Sequence, residues 1–281
     1  MEASFNYKIK QLFNTKKEEN IALALQLVQN FKVDLEGLAL ENLQLNQSNF
    51  DQLNLQHGSF RNSSFLEASF SAADLGEANF RGANLSDVNF SEAKLYKTNL
   101  MNANLVNANF YKASMQSAKF ENTNLRSAQL KQANMWAINL RRSRLNNSNL
   151  EAADLKEADM RFCLMENTNL SKADMTGADL SFCWLKGSNF REAILIDAQL
   201  EGVNFEGANF SYANLTAANF KNCYNFKAAN FEGANLSETD LSGIDLSAIN
   251  FKNANLTACN LRGCNLNQAN LQNAIMYGAQ L

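Results

Sequence analysis

Large apolar residues return at every fifth position through most of this chain, and the residues between them are small or polar. Leu40, Leu45, Phe50, Leu55 and Phe60 open a register that runs to Phe220. One residue is inserted there, and the count resumes at Phe226, Phe231 and Leu236 until Leu281. We call the large apolar residue the centre of its unit. Two positions before it stands a small residue, one position before it Asn or Asp, and after it two variable, mostly polar residues, as in Ala83-Asn84-Leu85-Ser86-Asp87. Along an extended strand, residues two apart share a side. Each unit therefore turns one large and one small side chain inward, sends its Asn outward, and keeps two residues for a corner. Stacked units of this kind predict an elongated solenoid rather than a set of globular domains. Proline, which offers no N–H to a backbone ladder, is absent.

The first residues lie off this register. Ile9, Leu12 and Phe13 suggest a short amphipathic helix. Thr15-Lys16-Lys17-Glu18 has the spacing of a capping box, and behind it Ile21, Leu25 and Val28 recur at helical intervals. Leu23, Leu27 and Phe31 would widen that apolar face, which predicts a helix from about 16 to 30. Such a helix can cover the apolar cross-section and open strand edges of the first coil. The alternative is a separate docking helix for a partner. Residues 1–34 are thus expected to form an N-terminal helical cap and residues 35–281 the repeat body.

Units such as Ala83-Asn84-Leu85, Ala153-Asp154-Leu155, Ala208-Asn209-Phe210 and Ala234-Asn235-Leu236 resemble the A(D/N)LXX repeat of the pentapeptide-repeat family. The resemblance runs over residues 41–281. It implies an all-β solenoid, a right-handed quadrilateral parallel β-helix, with four units to a coil of twenty residues. Twelve such coils and the inserted residue account for residues 41–281. At a spacing of about 4.8 Å per coil the rod would be about 58 Å long. Departures from the repeat are few: the insertion, and bulky Ile138, Ile244 and Ile249 where Ala is usual. In a narrow interior, further enlargement of a small inward position should cost about 1–3 kcal/mol.

Candidate chemistry is sparse. Cys163, Cys183, Cys223, Cys259 and Cys264 all stand at the small inward position, where they read as buried free thiols rather than metal ligands or disulfides. His57, the only histidine, has an outward place and no catalytic company. No glycine-rich phosphate loop occurs. The expectation is a protein without enzymatic activity, cofactor, metal or small-molecule substrate. The start of the chain has no apolar signal core, and no apolar run has the length of a membrane span. A soluble, cytoplasmic protein without membrane contact is therefore expected.

Net charge is a mild -3, which argues against a nucleic-acid partner. Rows of twenty nevertheless segregate the charges. The side with centres Leu85, Leu145, Met165 and Leu185 carries Arg61, Arg81, Arg141, Arg142, Arg144, Arg161, Lys221 and Arg262 against Glu41, Glu121, Glu201 and Asp245. The adjoining side carries Lys97, Lys119 and Lys156 against Glu77, Glu157, Asp159, Asp179, Asp197, Glu238 and Asp240. Solvated faces alone can produce such a division. On the basic side, however, Phe162, Leu164, Phe182 and Trp184 occupy outward positions, with Arg141, Arg142 and Arg144 one coil earlier. Aromatic residues clustered with arginine on a polar rod resemble the centre of an interface, although an aromatic ladder that only shields its strand is the alternative.

The favoured reading is a scaffold that binds a protein partner through faces of a rigid rod. The family resemblance supplies another, since its quinolone-resistance members are similar in form to duplex DNA and shield the type II topoisomerase gyrase from drugs. Such a mimic should be acidic over a long surface, and this rod has a basic side. Two further expectations concern single places. The insertion should bulge, with Cys223 inward and Tyr224 extruded. The last coil, ending on the centres Met276 and Leu281, should pair with that of a second chain in a tail-to-tail homodimer, unless the chain is a fragment whose continuation supplies the cap.

Overall fold

The computed structural model describes residues 2–30 and 34–281. Two helices come first, α1 at Glu2–Asn14 and α2 at Glu18–Asn30. Ile9 and Phe13 of α1 and Ile21, Ala24, Leu25 and Val28 of α2 are buried in one apolar cluster with Leu35, Leu38 and Leu40 of the first repeats. Leu12 and Leu27 are half-buried. Leu23 departs from expectation, because it is exposed and adds nothing to the apolar face. Phe31 lies outside the described residues.

The capping box also differs from expectation. Thr15 does not receive the Glu18 amide. Its Oγ1 donates to the Leu12 carbonyl at 2.7 Å and accepts from the Lys17 amide at 3.3 Å and Asn20 Nδ2 at 3.1 Å. The reason is that α1 runs on to Asn14 and the chain then reverses through Lys16, at φ 53°. The Thr15 hydroxyl therefore closes the C-terminal end of α1, where carbonyls lack partners. Lys17 takes the cap position of α2, its carbonyl accepting from Ile21 at 3.0 Å.

Inter-coil hydrogen bonds begin with Leu35 N–H to Asn54 O, at 3.2 Å, and Gly37 N–H to Gln56 O, at 2.8 Å. From there the chain pairs with itself twenty residues on. Ala39 bridges Ser59, Gln44 bridges Ser64, Asn49 bridges Ser69 and Asn54 bridges Asp74, all in parallel. Four bridges in each twenty residues make four sides. We number them face 1 to face 4 by these starting bridges, so that face 2 holds Ser64, Asn84 and Asn104 and face 3 holds Ser69, Asn89 and Asn109.

The five-residue unit explains itself in hydrogen bonds. Each corner is a four-residue turn: the N–H of Ala83 returns to the carbonyl of Phe80 at 2.9 Å. Its third residue is left-handed, as at Asn62 (φ 56°) and Asp87 (φ 57°), which is the geometry of a type II turn. The Asn before each centre serves two neighbours. Asn89 Oδ1 accepts from the Ser91 amide at 3.1 Å, steadying the corner, and also from Asn109 Nδ2 at 3.1 Å. Asn thus joins one coil to the next, which Ser or Leu at that place cannot do in the same way.

Inside, identical centres stack. The rings of Phe50, Phe70, Phe90 and Phe110 follow one another at 4.7, 5.2 and 5.1 Å. The small inward positions accept Ser, Thr and Cys as well as Ala, and the structure shows why. Ser63 Oγ donates to Leu40 O at 2.7 Å, Thr98 Oγ1 to Leu75 O at 2.8 Å, and Cys163 and Cys183 Sγ to Leu140 and Met160 O at 3.0 Å. A buried hydroxyl or thiol here has an acceptor at hand and leaves no polar group unsatisfied. All five cysteines are free. Burial pushes the Cys223 thiol up to about 12 and that of Cys259 up to about 11. Ile138 and Ile249 are accommodated in buried Ala positions, and Ile244 is half-buried.

The insertion corrects the sequence expectation in one respect. Cys223 does face inward, its Sγ donating to Leu200 O at 2.9 Å, and Tyr224 is exposed. Tyr224 is not the extra residue, however, because it bridges Asn204 in the regular outward position. The residue left over is Asn225, exposed and left-handed at φ 52°, after which Phe226 enters the core. The consequences are local to two sides. Face 3 continues across the insertion from Asn209 to Asn230 to Asn250, whereas on face 2 no bridge joins Tyr224 to Asp245. The amides of Asn222, Phe226, Ala228 and Asp245 lack the inter-coil backbone bonds that the repeat would give them, while face 1 stays bridged from Asn219 to Asp240. A seam in the hydrogen-bond ladder results.

Candidate interaction face

Face 2 begins like the others. Asn84 Nδ2 donates to Ser64 Oγ at 3.4 Å, Asn104 to Asn84 Oδ1 at 3.2 Å, and Asn124 to Asn104 Oδ1 at 3.3 Å. The next residues in the column are Arg144, Leu164 and Trp184, paired through their backbones. None of them carries an amide, and the side-chain ladder stops at Asn124. Leu164 and Trp184 are 38% and 46% exposed, and beside them Phe162 and Phe182 are 43% and 50% exposed. The two phenyl rings stack at 5.3 Å with 10° between their planes.

Phe162 and Phe182 occupy the left-handed corner position, at φ 62° and 60°. Bulky side chains disfavour that conformation. The next coil makes room for the upper ring: a Cβ on Gly202 would meet two Phe182 ring atoms at 2.6 Å, so only glycine admits this packing. Tyr212 lies over Gly233 in the same way, which makes the bedding of one ring a general device of the corner. What sets face 2 apart is two stacked rings beside exposed Leu164 and Trp184. Asn204, between Trp184 and Tyr224 in the column, is buried, and Tyr224 extends the exposed aromatic surface by two more coils. Sequence reasoning did not include Tyr224 or Gly202 in the patch. Rows of twenty place Gly202 directly after Phe182, which is the signal that could have found it.

The expected arginine cluster divides. Arg161 turns away toward face 1, with Nη2 2.6 Å and Nε 2.8 Å from the Asp159 carboxylate and Nε 3.4 Å from Asp179. Burial works against the ionised form of Asp159. The hydrogen bonds from Arg161, with its charge and that of Arg141, outweigh burial and hold this carboxyl below its ordinary range. Arg161 is therefore neutralised at home and is not an open member of the patch. Arg141 is half-buried, its Nε without a hydrogen-bond partner. Arg142 and Arg144 make no ion pair among the described residues. They border a shallow groove of about 320 Å³ lined also by Asn102, Ala103, Asn104, Asn122, Thr123 and Asn124.

The remaining candidate residues lie elsewhere. Met276 is half-buried and Leu281 exposed, with Ile275 and Tyr277 exposed beside them. His57 is on the surface between Glu36, at 3.9 Å, and Glu77, at 3.6 Å. No helix among the described residues is long and apolar enough to cross a membrane.

A parallel four-sided coil built from five-residue units defines the class of β-solenoid repeat proteins. Within that class the chain belongs to the pentapeptide-repeat family. The pattern of the pentapeptide repeat region matches residues 33–110 and 73–150, and that of pentapeptide repeats in eight copies matches 153–192, 183–222, 225–248 and 249–281. The matches stop at 222 and restart at 225, beside the insertion.

Among solved structures, the chain is similar to HetL of the cyanobacterium Nostoc sp. strain PCC 7120, a pentapeptide repeat protein involved in heterocyst differentiation regulation. Identity is 27%, over 91% of this chain and 94% of HetL, with a TM-score of 0.33. It is similar to the pentapeptide repeat protein Rfr23 of the cyanobacterium Cyanothece 51142 at 24% identity, over 48% of this chain and 97% of Rfr23, with a TM-score of 0.30. A trypsin-treated form of QnrB1, a plasmid-mediated fluoroquinolone resistance protein, is 22% identical over 87% of this chain and 92% of its own, also with a TM-score of 0.30. Superpositions this loose transfer no role to the present chain. No curated protein matches it.

Proposed function

We propose that this protein is a non-enzymatic scaffold of the cytoplasm, a right-handed rod of about twelve coils that binds a protein partner through face 2. In this reading α1 and α2 cover the first coil, and the rest of the rod holds the contact surface rigid. A rigid surface loses little conformational entropy on association. The observation that carries the proposal is the exposed group Phe162, Leu164, Phe182 and Trp184, next to Arg142 and Arg144, which have no ion-pair partners among the described residues. Exposed apolar side chains so grouped on an otherwise polar surface mark contact sites. A DNA-like surface would have to be acidic, whereas Asp159 and Asp179 on face 1 are already engaged by Arg161.

The test compares wild type with the double variant Phe182→Ser/Trp184→Ser as bait in extract of the native cell. The variant should keep the wild-type melting temperature, since both rings point outward, and lose at least one protein that wild type retains. Identical sets of retained proteins would remove face 2 as the binding surface.

A further inference from the structure

The two ends of this patch differ in chemistry, and the difference describes a ligand. Two nearby cations are matched within the rod: Arg161 by Asp159 and Asp179, and Lys186 by Glu206 at 3.0 Å. Arg142 and Arg144 have no such match, and they stand where the amide ladder ends, on the rim of the groove that Asn102, Asn104, Asn122 and Asn124 line. An unpaired guanidinium pair on a well-ordered strand and corner presents planar forks suited to carboxylates. One and two coils further, the surface becomes apolar at Leu164 and Trp184.

Resting on the assignment of face 2 as the contact surface, we propose that its partner presents an acidic segment leading into bulky apolar residues, laid along the rod. The carboxylates lie over Arg142 and Arg144, and the apolar side chains lie against Phe162, Phe182 and Trp184. The spacing follows from the coil. Arg144 and Trp184 are two coils apart, about 10 Å, which an extended chain covers in about three residues. A single-stranded nucleic acid fits less well. Its phosphates repeat at every nucleotide and call for cations along the whole track, whereas the outward column beyond Arg144 reads Leu164, Trp184, Asn204 and Tyr224.

Trp184 supplies the readout. The chain has 2 tryptophans, so Trp136→Phe leaves its emission alone. Three probes are titrated against this protein: a blocked twelve-residue peptide with three consecutive glutamates followed three residues later by a Leu-Phe pair, the same peptide with glutamines, and a twelve-residue oligothymidylate. The glutamate peptide should bind about tenfold more tightly than the glutamine peptide, and Arg142→Glu/Arg144→Glu should abolish that preference. Phe182→Ser should weaken both peptides. Equal binding of the two peptides, still weakened by Phe182→Ser, overturns the acidic complement but leaves face 2 as a contact surface. Tighter binding of the oligothymidylate, or no change in emission with the glutamate peptide, overturns the proposal as a whole. Identical sets of proteins retained from extract by wild type and Phe182→Ser/Trp184→Ser would instead count against the broader assignment.

Discussion

Faces 2 and 3 are built from the same unit and have become different surfaces. On face 3 the column Asn149, Asn169, Asn189, Asn209, Asn230, Asn250 and Asn270 is joined amide to amide at 3.0 to 3.3 Å, straight across the insertion. On face 2 the amide ladder breaks off at Asn124 and resumes only where Asn265 Nδ2 donates to Asp245 at 2.9 Å, and the backbone ladder is interrupted between Tyr224 and Asp245. One face binds the coils to each other. The other has given up those bonds over several coils, and its exposed side chains are free to meet something else. The coil tolerates this because three sides and the stacked core still hold each turn in place.

The largest effect is expected where the two faces diverge most, at the seam. Deleting Asn225 restores a spacing of twenty throughout and lets the four unpaired amides find acceptors in the adjoining coils. At about 0.5–1 kcal/mol net for each bond, stability should rise by about 2–4 kcal/mol. Hydrogen exchange would show those amides, fast in wild type, becoming protected. Cys223 adds a second signal. Its thiol is held up at about 12 by burial, so modification requires opening. It should react faster than Cys163 and Cys183 in wild type, and the deletion should erase that difference. Unchanged exchange would mean the seam is closed in solution.

A smaller contrast separates the columns themselves. Asn209→Ala removes its Nδ2 bond to Asn189 and the bonds that Asn230 Nδ2 and the Ser211 amide make to its Oδ1. We expect a loss of about 2 kcal/mol by denaturant unfolding. Trp184→Ala, one column away and half-exposed, should change stability by less than about 0.5 kcal/mol. Equal effects would mean that face 2 serves stability as much as face 3 does.

The smallest effect concerns Arg161. The pKa of Asp159 is depressed below its ordinary 3.8. The stability this pair contributes is therefore complete above that value and is lost as pH falls through the lower native one. Arg161→Gln should lower the melting temperature slightly at neutral pH, and the difference from wild type should vanish in acid. A difference that persists in acid would show that Arg161 acts by packing rather than by its charge.

Much of this architecture was legible because period five leaves the chain few alternatives. It placed the centres, the small inward residues and the five cysteines on the inside, and Phe182 and Trp184 on the outside. The rest depended on choices that a period does not make. A count of residues reveals one too many near Tyr224, but not that Tyr224 keeps its bridge while Asn225, a residue tolerant of left-handed backbone, takes up the slack. Charge totals put Arg161 on the basic side, yet its guanidinium had Asp159 two residues away and Asp179 one coil on, and it turned to them. Thr15 fitted a cap by spacing alone, before the extent of α1 decided which helix end it would meet.

The corner turns carry a further consequence, for how such a rod can change length. Remove five residues anywhere in the repeats and every centre downstream still reaches the core, so the interior registers nothing. Outside, each later residue is carried a quarter turn around the axis. Phe182 and Trp184 would then point in a new direction relative to everything before the cut. Only whole coils of twenty can be gained or lost without turning the far end, and the single extra Asn225 is absorbed with the faces still aligned. The angular phase of the rod is thus under a constraint that its core does not impose, and it is the displayed surface alone that records it.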